Sequence, residues 1–211
     1  METQYTTAER WMDGIVHVVG VSLALVAIVV LLSLVIPTGN SLLVVAASIY
    51  ALGLMATFGF SAAYNISMSP RWKDLLRRFD HAAIYLMIAG TYTPLAMISV
   101  GGVVGYALLS VVWTIALIGL VLKLSWPDRF ERLSLVLYLA LGWLGLAAAG
   151  SIIAALPVAA LVLLLIGGLM YTTGVIFHLW TRLSFHKAIW HGFVLTAAVC
   201  HYAAVLESIL P

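Results

Sequence analysis

The sequence predicts an all-α membrane protein, a single bundle of seven transmembrane helices over residues 1–211. Three observations lead to this prediction. Hydrophobic residues make up 64% of the chain and charged residues only 9%, with a mean hydropathy of +1.14. Successive apolar stretches approach the roughly 20 residues that cross the hydrocarbon core of a bilayer. All ten Lys and Arg residues lie outside or at the ends of these stretches, which excludes an ordinary soluble domain.

Turn residues mark the limits of the predicted helices. Residues 37–41 (Pro-Thr-Gly-Asn-Ser) close the first helix, two glycines at 101–102 follow the third, and Pro157 opens the sixth, where its missing N–H costs nothing. The boundary between the fifth and sixth helices depends on Pro157 alone, because residues 151–160 contain no charge. The predicted helices span residues 14–36, 42–65, 80–99, 102–123, 133–155, 157–179 and 188–209.

The positions of the cations predict the orientation of the chain, because Lys and Arg near helix ends remain in the cytoplasm. Arg10 precedes the first helix, other cations join the second to the third helix and the fourth to the fifth, and Arg182 and Lys187 precede the last. We therefore expect a multi-pass protein of the bacterial inner membrane, with its N-terminus in the cytoplasm and its C-terminus outside. The net charge of +2 is a topology signal that favours membrane lipids as partners and gives no reason to expect nucleic acid.

Residues 72–79, which connect the second and third predicted helices, leave two structures open. Four of the cations, Arg71, Lys73, Arg77 and Arg78, lie in or beside this segment. The segment is amphipathic and could lie on the inner membrane surface. A solvated loop is the alternative.

Polar side chains recur at the predicted cytoplasmic ends of the helices. Glu9, Asp13 and His17 are spaced by four residues and share one face of the first helix. Ionisable groups are costly in a membrane and usually face protein or water. Interfacial anchoring and capping could explain Glu9, His81 and His178 individually, but explain the whole set poorly. We predict a polar network of Glu9, Asp13, His17, Ser61, Asn65, Asp80, Lys187 and His191.

Polar and small residues in the outer halves of the predicted helices indicate helix packing rather than a metal or catalytic site. Residues 91–94 (Thr-Tyr-Thr-Pro) indicate a kink at which hydroxyls satisfy freed carbonyl groups. His201 is expected about 15 Å along the last helix from His191, too far to share one ion, so it is interpreted as a packing residue. Gly and Ala residues in 142–150 favour the close approach of helices.

Ordered motifs along the chain resemble those of a known family. They are Glu9 with His17-Val-Val-Gly20, Ser61-Ala-Ala-Tyr64-Asn65, Asp80-His81-Ala-Ala-Ile-Tyr85, Ala89-Gly-Thr-Tyr-Thr-Pro94, Trp126-Pro-Asp-Arg-Phe130 and residues 185–191. Over essentially the whole chain, they resemble the bacterial hemolysin III family of the progestin and adiponectin receptor superfamily. The resemblance implies a seven-helix bundle with a cytoplasmic N-terminus, which the charges predict independently.

The resemblance also implies a zinc site near the cytoplasmic face, with Ser61 and Asp80 beside it as candidate catalytic residues. Three imidazoles bind the zinc in the family, and in this chain their positions carry Asn65, Lys187 and His191. Only His191 is kept as a metal ligand. A carboxamide is a weak zinc ligand, and a protonated Lys has no lone pair, so the zinc site is degenerate.

Two interpretations of the degenerate site remain open. In the favoured one, no cofactor is bound, and the Lys187 ammonium replaces the cation, paired with Asp80 and hydrogen-bonded to Asn65 and Ser61. In the other, zinc is the cofactor and finds the three good donors that it requires. The ligands would then be His191, Asp80 and either His17 or His186.

The two interpretations lead to different functions. With zinc, the resemblance implies hydrolysis of a lipid amide such as a ceramide by metal-activated water. Without zinc, Asp80 beside Lys187 would stay ionised and act as a poor base. We therefore favour a non-enzymatic protein that binds lipid or fatty acid between its helices and acts in membrane homeostasis. A pore-forming hemolysin fits poorly because few charges lie within the spans, and a retinal protein fits poorly because Lys187 lies at a helix mouth.

Overall fold

The fold is a bundle of α-helices, which the computed structural model describes for residues 6–67, 69–126, 129 and 131–210, without the side chains of residues 131 and 132. No β-strand occurs in these ranges. Seven helical stretches are long and apolar enough to cross a membrane, which confirms the predicted fold class. The α-helices are α1 Thr7–Val35, α2 Ser41–Ile66, α3 Pro70–Pro94, α4 Gly102–Ser125, α5 Glu131–Gly142, α6 Ala149–Ala155, α7 Val158–Leu179 and α8 His186–Ile209.

Helix α1 begins seven residues before the predicted limit, at Thr7 rather than at residue 14. A capping box at Thr6 explains the earlier start. The Thr6 hydroxyl accepts the Glu9 N–H at 3.2 Å, and the Glu9 carboxylate accepts the Thr6 N–H at 2.9 Å. Because α1 starts early, Asp13 lies in its second turn and is held by a complete helical backbone.

Helix α3 begins at Pro70, ten residues before the predicted limit. Proline fits the first position of a helix because its missing N–H would be unpaired there. Residues 72–79 are therefore the first turns of α3 and form neither a loop nor a separate surface helix. The Arg78 guanidinium donates to the Leu124 carbonyl at 3.2 Å, which ties this part of α3 to the end of α4.

The fifth span, Leu133–Ala155, is broken in its middle. Helix α5 ends at Gly142, a 3₁₀ segment covers Leu144–Ala148, and α6 follows. The Tyr92 hydroxyl of α3 donates to the Gly142 carbonyl at 2.9 Å and accepts the Gly145 N–H at 2.7 Å. One side chain thus satisfies two backbone groups that the break releases from helical pairing.

The end of α3 departs from regular α-helix near Pro94, as its sequence predicts. Thr91 and Thr93 donate their hydroxyls to the carbonyls of Met87 and Ala89, at 2.8 and 2.7 Å. A π-helical turn, Leu95–Val100, follows the proline. The hydroxyls therefore bind carbonyls one turn earlier, and the irregular turn extends the third span to Val100.

The core consists of two clusters of buried side chains, and glycine allows helices α2 and α3 to cross closely. One buried cluster includes Leu31 and Tyr50, and the other includes Tyr85 and Val112. A Cβ atom on Gly53 would lie 2.9 Å from the Leu86 carbonyl oxygen, so glycine allows this close crossing. Many large apolar side chains point outward from the bundle, as contact with lipid requires.

Candidate functional site: a polar cluster at one end of the bundle

The candidate site lies at the end of the bundle where α1 and α8 begin and α2 ends, which we call the polar end. Asp13 and His17 are buried there, with 8% and 6% of their surfaces exposed. Such burial is costly for ionisable groups unless they are paired. The site, which we call the polar cluster, consists of Asp13, His17, Ser61, Asn65, Asp80, Lys187 and His191.

A short hydrogen bond in the polar cluster joins helices α1 and α8. Asp13 Oδ1 lies 2.6 Å from His191 Nδ1, as expected for a charge-assisted hydrogen bond. The rings of His17 and His191 pack edge to face, with centroids 4.4 Å apart. Asp13 therefore links α1 directly to α8. His17, one turn later on α1, packs against the same histidine of α8.

Hydrogen bonds determine the tautomer of His17. Its Nδ1 lies 2.7 Å from the Asp13 backbone carbonyl, which can only accept, so Nδ1 carries the proton. Its Nε2 then accepts from the Asn65 amide at 3.2 Å, while the same amide donates to the Ser61 carbonyl at 2.9 Å. Both nitrogens of His17 thus have partners, and α1 is joined to α2.

Ser61 and Lys187 extend the cluster to Asp80 of α3. Ser61 Oγ lies 3.2 Å from His17 Nε2, and the Asp80 carboxyl group is a neighbour of Ser61. Lys187, in the first turn of α8, is partly buried, and Asp13 and Asp80 are the carboxyl groups in its surroundings. The cluster therefore brings together side chains from four helices, with two carboxyl groups and one amino group among them.

Glu9 lies beside the polar cluster and holds the turn that precedes α8. Its Oε1 accepts the Phe185 N–H at 2.9 Å, while Oε2 binds Thr6. Phe185 has a φ of +62° and is the one non-glycine residue with positive φ among the described residues. This conformation is uncommon for a bulky side chain. Glu9 thus helps to fix the first turn of α8, from which Lys187 and His191 project.

Two other histidines, His178 and His201, have packing contacts away from the hydrogen bonds of the polar cluster. His178 lies against Trp190, with ring centroids 5.1 Å apart. His201 lies at 3.3 Å from the Leu164 carbonyl through Nε2 and packs edge to face against Tyr171. The interpretation of His201 as a hydrogen-bonded packing residue agrees with this geometry.

An apolar cavity of about 280 Å³ lies in the opposite half of the bundle, beside the break in the fifth span. Helices α3, α4, α6, α7 and α8 contribute to its walls. Sequence reasoning did not locate this cavity, because the break that borders it is not visible in the hydrophobic pattern. Its lining includes Tyr92, Leu95, Trp143, Ile152, Leu164 and His201.

Comparison with known proteins shows which family the chain resembles. The profile of the family described as "Haemolysin-III related" matches residues 5–202. A "Hemolysin-3 homolog" of Bacillus subtilis (strain 168) is 36% identical over 202 residues, which cover 96% of this chain and 95% of the relative. The chain belongs to the hemolysin III family. "Hemolysin-3" of Bacillus cereus is likewise 36% identical over 203 residues, covering 96% and 93% of the two chains.

A more distant relative extends the hemolysin III assignment to the superfamily. The Homo sapiens protein named "Monocyte to macrophage differentiation factor" is 30% identical over 170 residues, which cover 76% of this chain and 69% of the relative. The predicted resemblance is thus confirmed at both levels. With seven apolar helices and bacterial relatives, the hemolysin III chain is a multi-pass integral membrane protein of the bacterial inner membrane.

Two of the positions that the sequence resemblance assigns to zinc ligands carry side chains that are poor zinc donors, Asn65 and Lys187. Asn65 directs its amide N–H at His17, and Lys187 supplies an ammonium without a lone pair. A different set of donors does come together. Asp13, His17 and His191 each offer a ligand atom, and these atoms lie within 4.8 Å of one another.

Sequence reasoning named every member of the polar cluster but missed its central pair. The predicted pairing of Lys187 with Asp80 remains a prediction, and Asp13 was placed in the polar stripe and the polar network without a named partner on the last helix. The contact of Asp13 with His191 depends on which helices pack together. The four-residue spacing of Glu9, Asp13 and His17 was the signal that this face meets another polar surface.

Proposed function

We propose that this hemolysin III protein binds a lipid or fatty acid inside its helix bundle and acts in membrane homeostasis. The observation that carries the proposal is the apolar cavity of about 280 Å³ beside the broken fifth span. Apolar cavities of about 150 Å³ already stay dry and take up small apolar molecules. In a bilayer, acyl chains are the abundant apolar molecules, so they are the expected occupants.

The position of the cavity also supports a lipid ligand. It lies next to a span that consists of two short helices rather than one continuous helix, and residues on both sides of the break line it. A segment with fewer helical hydrogen bonds opens locally at a lower free-energy cost than a regular helix. We therefore expect an acyl chain from the surrounding membrane to enter the cavity past Trp143 and Gly145.

The polar cluster has a structural role in this proposal. It joins α1, α2, α3 and α8 at the polar end, where the family's zinc site is degenerate at Asn65 and Lys187. A bundle that is held firmly at one end keeps the helices around the cavity in place. The proposed ligand site, the apolar cavity, and the polar cluster thus lie in opposite halves of the bundle.

Native mass spectrometry of the protein extracted in mild detergent tests the proposal. We expect the unaltered chain to carry a bound lipid or fatty acid, and Ala149→Phe, which fills the cavity, to lose it. Ala147→Phe is the matched control because Ala147 lies two residues away, is exposed and does not line the cavity. Equal lipid binding by both variants would contradict the proposal.

A second candidate function is the zinc-dependent hydrolysis of a lipid amide such as a ceramide. The observation that favours it is the proximity of the Asp13, His17 and His191 ligand atoms. Its test is the release of fatty acid from ceramide by the purified protein supplied with zinc. Activity that is lost in His17→Gln would support this function, whereas release equal to that of protein-free vesicles would exclude it.

A further inference from the structure

We infer that Lys187 takes the place of a metal ion, so that the polar cluster is a permanent, metal-free connection between four helices. Asp13 is the group that makes this arrangement self-consistent, because it pairs with His191 and adds a second carboxylate near the ammonium. This inference concerns the polar end and is independent of whether the apolar cavity binds lipid.

His17 has no free ring nitrogen with which to bind a metal ion. A metal-binding imidazole needs one free nitrogen lone pair, while its other N–H is held by a carbonyl or carboxylate. His17 Nδ1 donates to the Asp13 carbonyl, which suits a ligand. Its Nε2 lone pair, however, already accepts the Asn65 amide at 3.2 Å. Metal binding through His17 would therefore require Asn65 to turn away.

Asp13 Oδ1 and His191 Nδ1 lie too close to each other to bind the same metal ion. Two ligand atoms at about 2.0–2.1 Å from a tetrahedral zinc lie about 3.3 Å from each other. Asp13 Oδ1 and His191 Nδ1 are separated by only 2.6 Å, which fits a shared proton rather than a shared metal ion. Zinc would have to displace this proton and move the two helices' side chains apart.

The amino group of Lys187 also disfavours a metal ion in the polar cluster. Asp13 and Asp80 are the carboxyl groups in the surroundings of Lys187, and Asp13 is hydrogen-bonded to His191 at 2.6 Å. The two carboxyl groups thus have a cation within the protein itself. The ammonium would repel a divalent cation bound in the same cluster, and low polarity would strengthen the repulsion.

The first test measures zinc binding by the purified full chain in lipid nanodiscs. The protein is saturated with zinc, excess metal is removed, and bound zinc is measured by elemental mass spectrometry alongside the thermal unfolding midpoint. We expect far less than one zinc per chain and the same midpoint with zinc or with EDTA. One zinc per chain, or a midpoint that rises with zinc, would overturn the inference.

The second test removes the ammonium. We expect Lys187→Met to lower the thermal midpoint by several degrees, and Arg182→Met, which removes an exposed cation from the preceding turn, to leave it nearly unchanged. Adding Asp13→Asn to Lys187→Met should cost less than the sum of the two single changes, because the two groups interact. Additive effects, or equal midpoints for the two Met variants, would contradict the inference.

A third variant asks whether the fold can still accept the metal. With Asn65→His and Lys187→His together, the three imidazole positions of the family are restored. We expect this variant to bind one zinc per chain and to gain thermal stability with it. If it does not accumulate, the zinc content of the unaltered chain and the double-mutant comparison decide the question.

Discussion

At the scale of single residues, the polar cluster depends on Asp13. Its carboxylate accepts from His191 of α8, and its backbone carbonyl accepts from His17 of α1. The carboxylate is largely buried, with 12% of the side chain exposed. A buried ionised pair adds little net stability when intact, but the loss of one partner leaves a costly unpaired charge. We therefore expect the removal of the Asp13 carboxylate to destabilise the fold more than the loss of its small contact area alone would.

Asp13→Ala should lower the free energy of unfolding by about 3 kcal/mol, because the partly buried His191 loses the carboxylate that it hydrogen-bonds at 2.6 Å. Denaturant titration in mixed micelles measures this change. Asp74→Ala is the control, because Asp74 forms an exposed ion pair with Arg77 at 3.9 Å. Exposed pairs contribute about 0–1 kcal/mol, so similar losses in the two variants would show that the polar cluster contributes no special stability.

At the scale of elements, the fifth span shows how a helix break is stabilised. Gly142 and Gly145 lie on either side of it, and the Tyr92 hydroxyl binds a backbone group of each. Trp143, between them, donates its indole N–H to Thr172 of α7 at 3.0 Å. The break therefore has specific partners on two neighbouring helices, as backbone at membrane depth requires.

Tyr92→Phe should lower the free energy of unfolding by about 2 kcal/mol, because it leaves two backbone groups without their shared partner. Hydrogen exchange of residues 142–148 should become faster, with little change elsewhere. Tyr106→Phe is the control, since Tyr106 is exposed. Unchanged exchange at Gly145 in Tyr92→Phe would show that the hydroxyl does not hold the break.

Two glycines of α2 allow a matched test of helix packing. Gly53→Ala should destabilise the bundle, because its Cβ would lie 2.9 Å from the Leu86 carbonyl oxygen. Gly59→Ala should cause no loss, since its Cβ would meet only the Met55 sulfur at 3.9 Å and Ala favours helix. Unfolding midpoints of the two variants provide the measurement. A Gly53→Ala midpoint at or above that of Gly59→Ala would contradict this view of the α2–α3 crossing.

At the scale of the whole molecule, the distribution of cations still predicts the orientation. All ten Lys and Arg residues lie at one end of the bundle by sequence, so that end should be cytoplasmic. Alkaline phosphatase fused after the C-terminus should be active in the periplasm, whereas green fluorescent protein at the same place should be dark. Fluorescence from that fusion would place the C-terminus in the cytoplasm and reverse the prediction.

The seven spans were predictable because the hydrophobic pattern of a membrane helix is long and unambiguous. The starts of α1 and α3 were predicted too late, since apolar content was used to place them. The capping box at Thr6 and the proline at position 70 determine those starts, and polar residues follow both. The capping box and the proline are visible in the local sequence, but both lie outside the apolar stretches from which the helix limits were predicted.

The contacts of the candidate site were less predictable than its members. Periodicity placed Asp13 and His17 on one face of a helix, and the resemblance placed Asn65 and Lys187 near His191. Which of these groups touch depends on the packing of α1 against α8, and single-helix patterns do not contain that information. For the same reason, Gly142 and Gly145 were read as packing residues, although they mark a break in the span.

The link between Glu9 and Phe185 joins the start of the chain to the turn before its last helix. During synthesis, α1 is made before α8, so the Asp13 carboxylate has no partner on α8 until α8 has been made. A nascent chain that lacks α8 therefore holds this carboxylate without the His191 hydrogen bond. The polar cluster is completed only when α8 packs against α1.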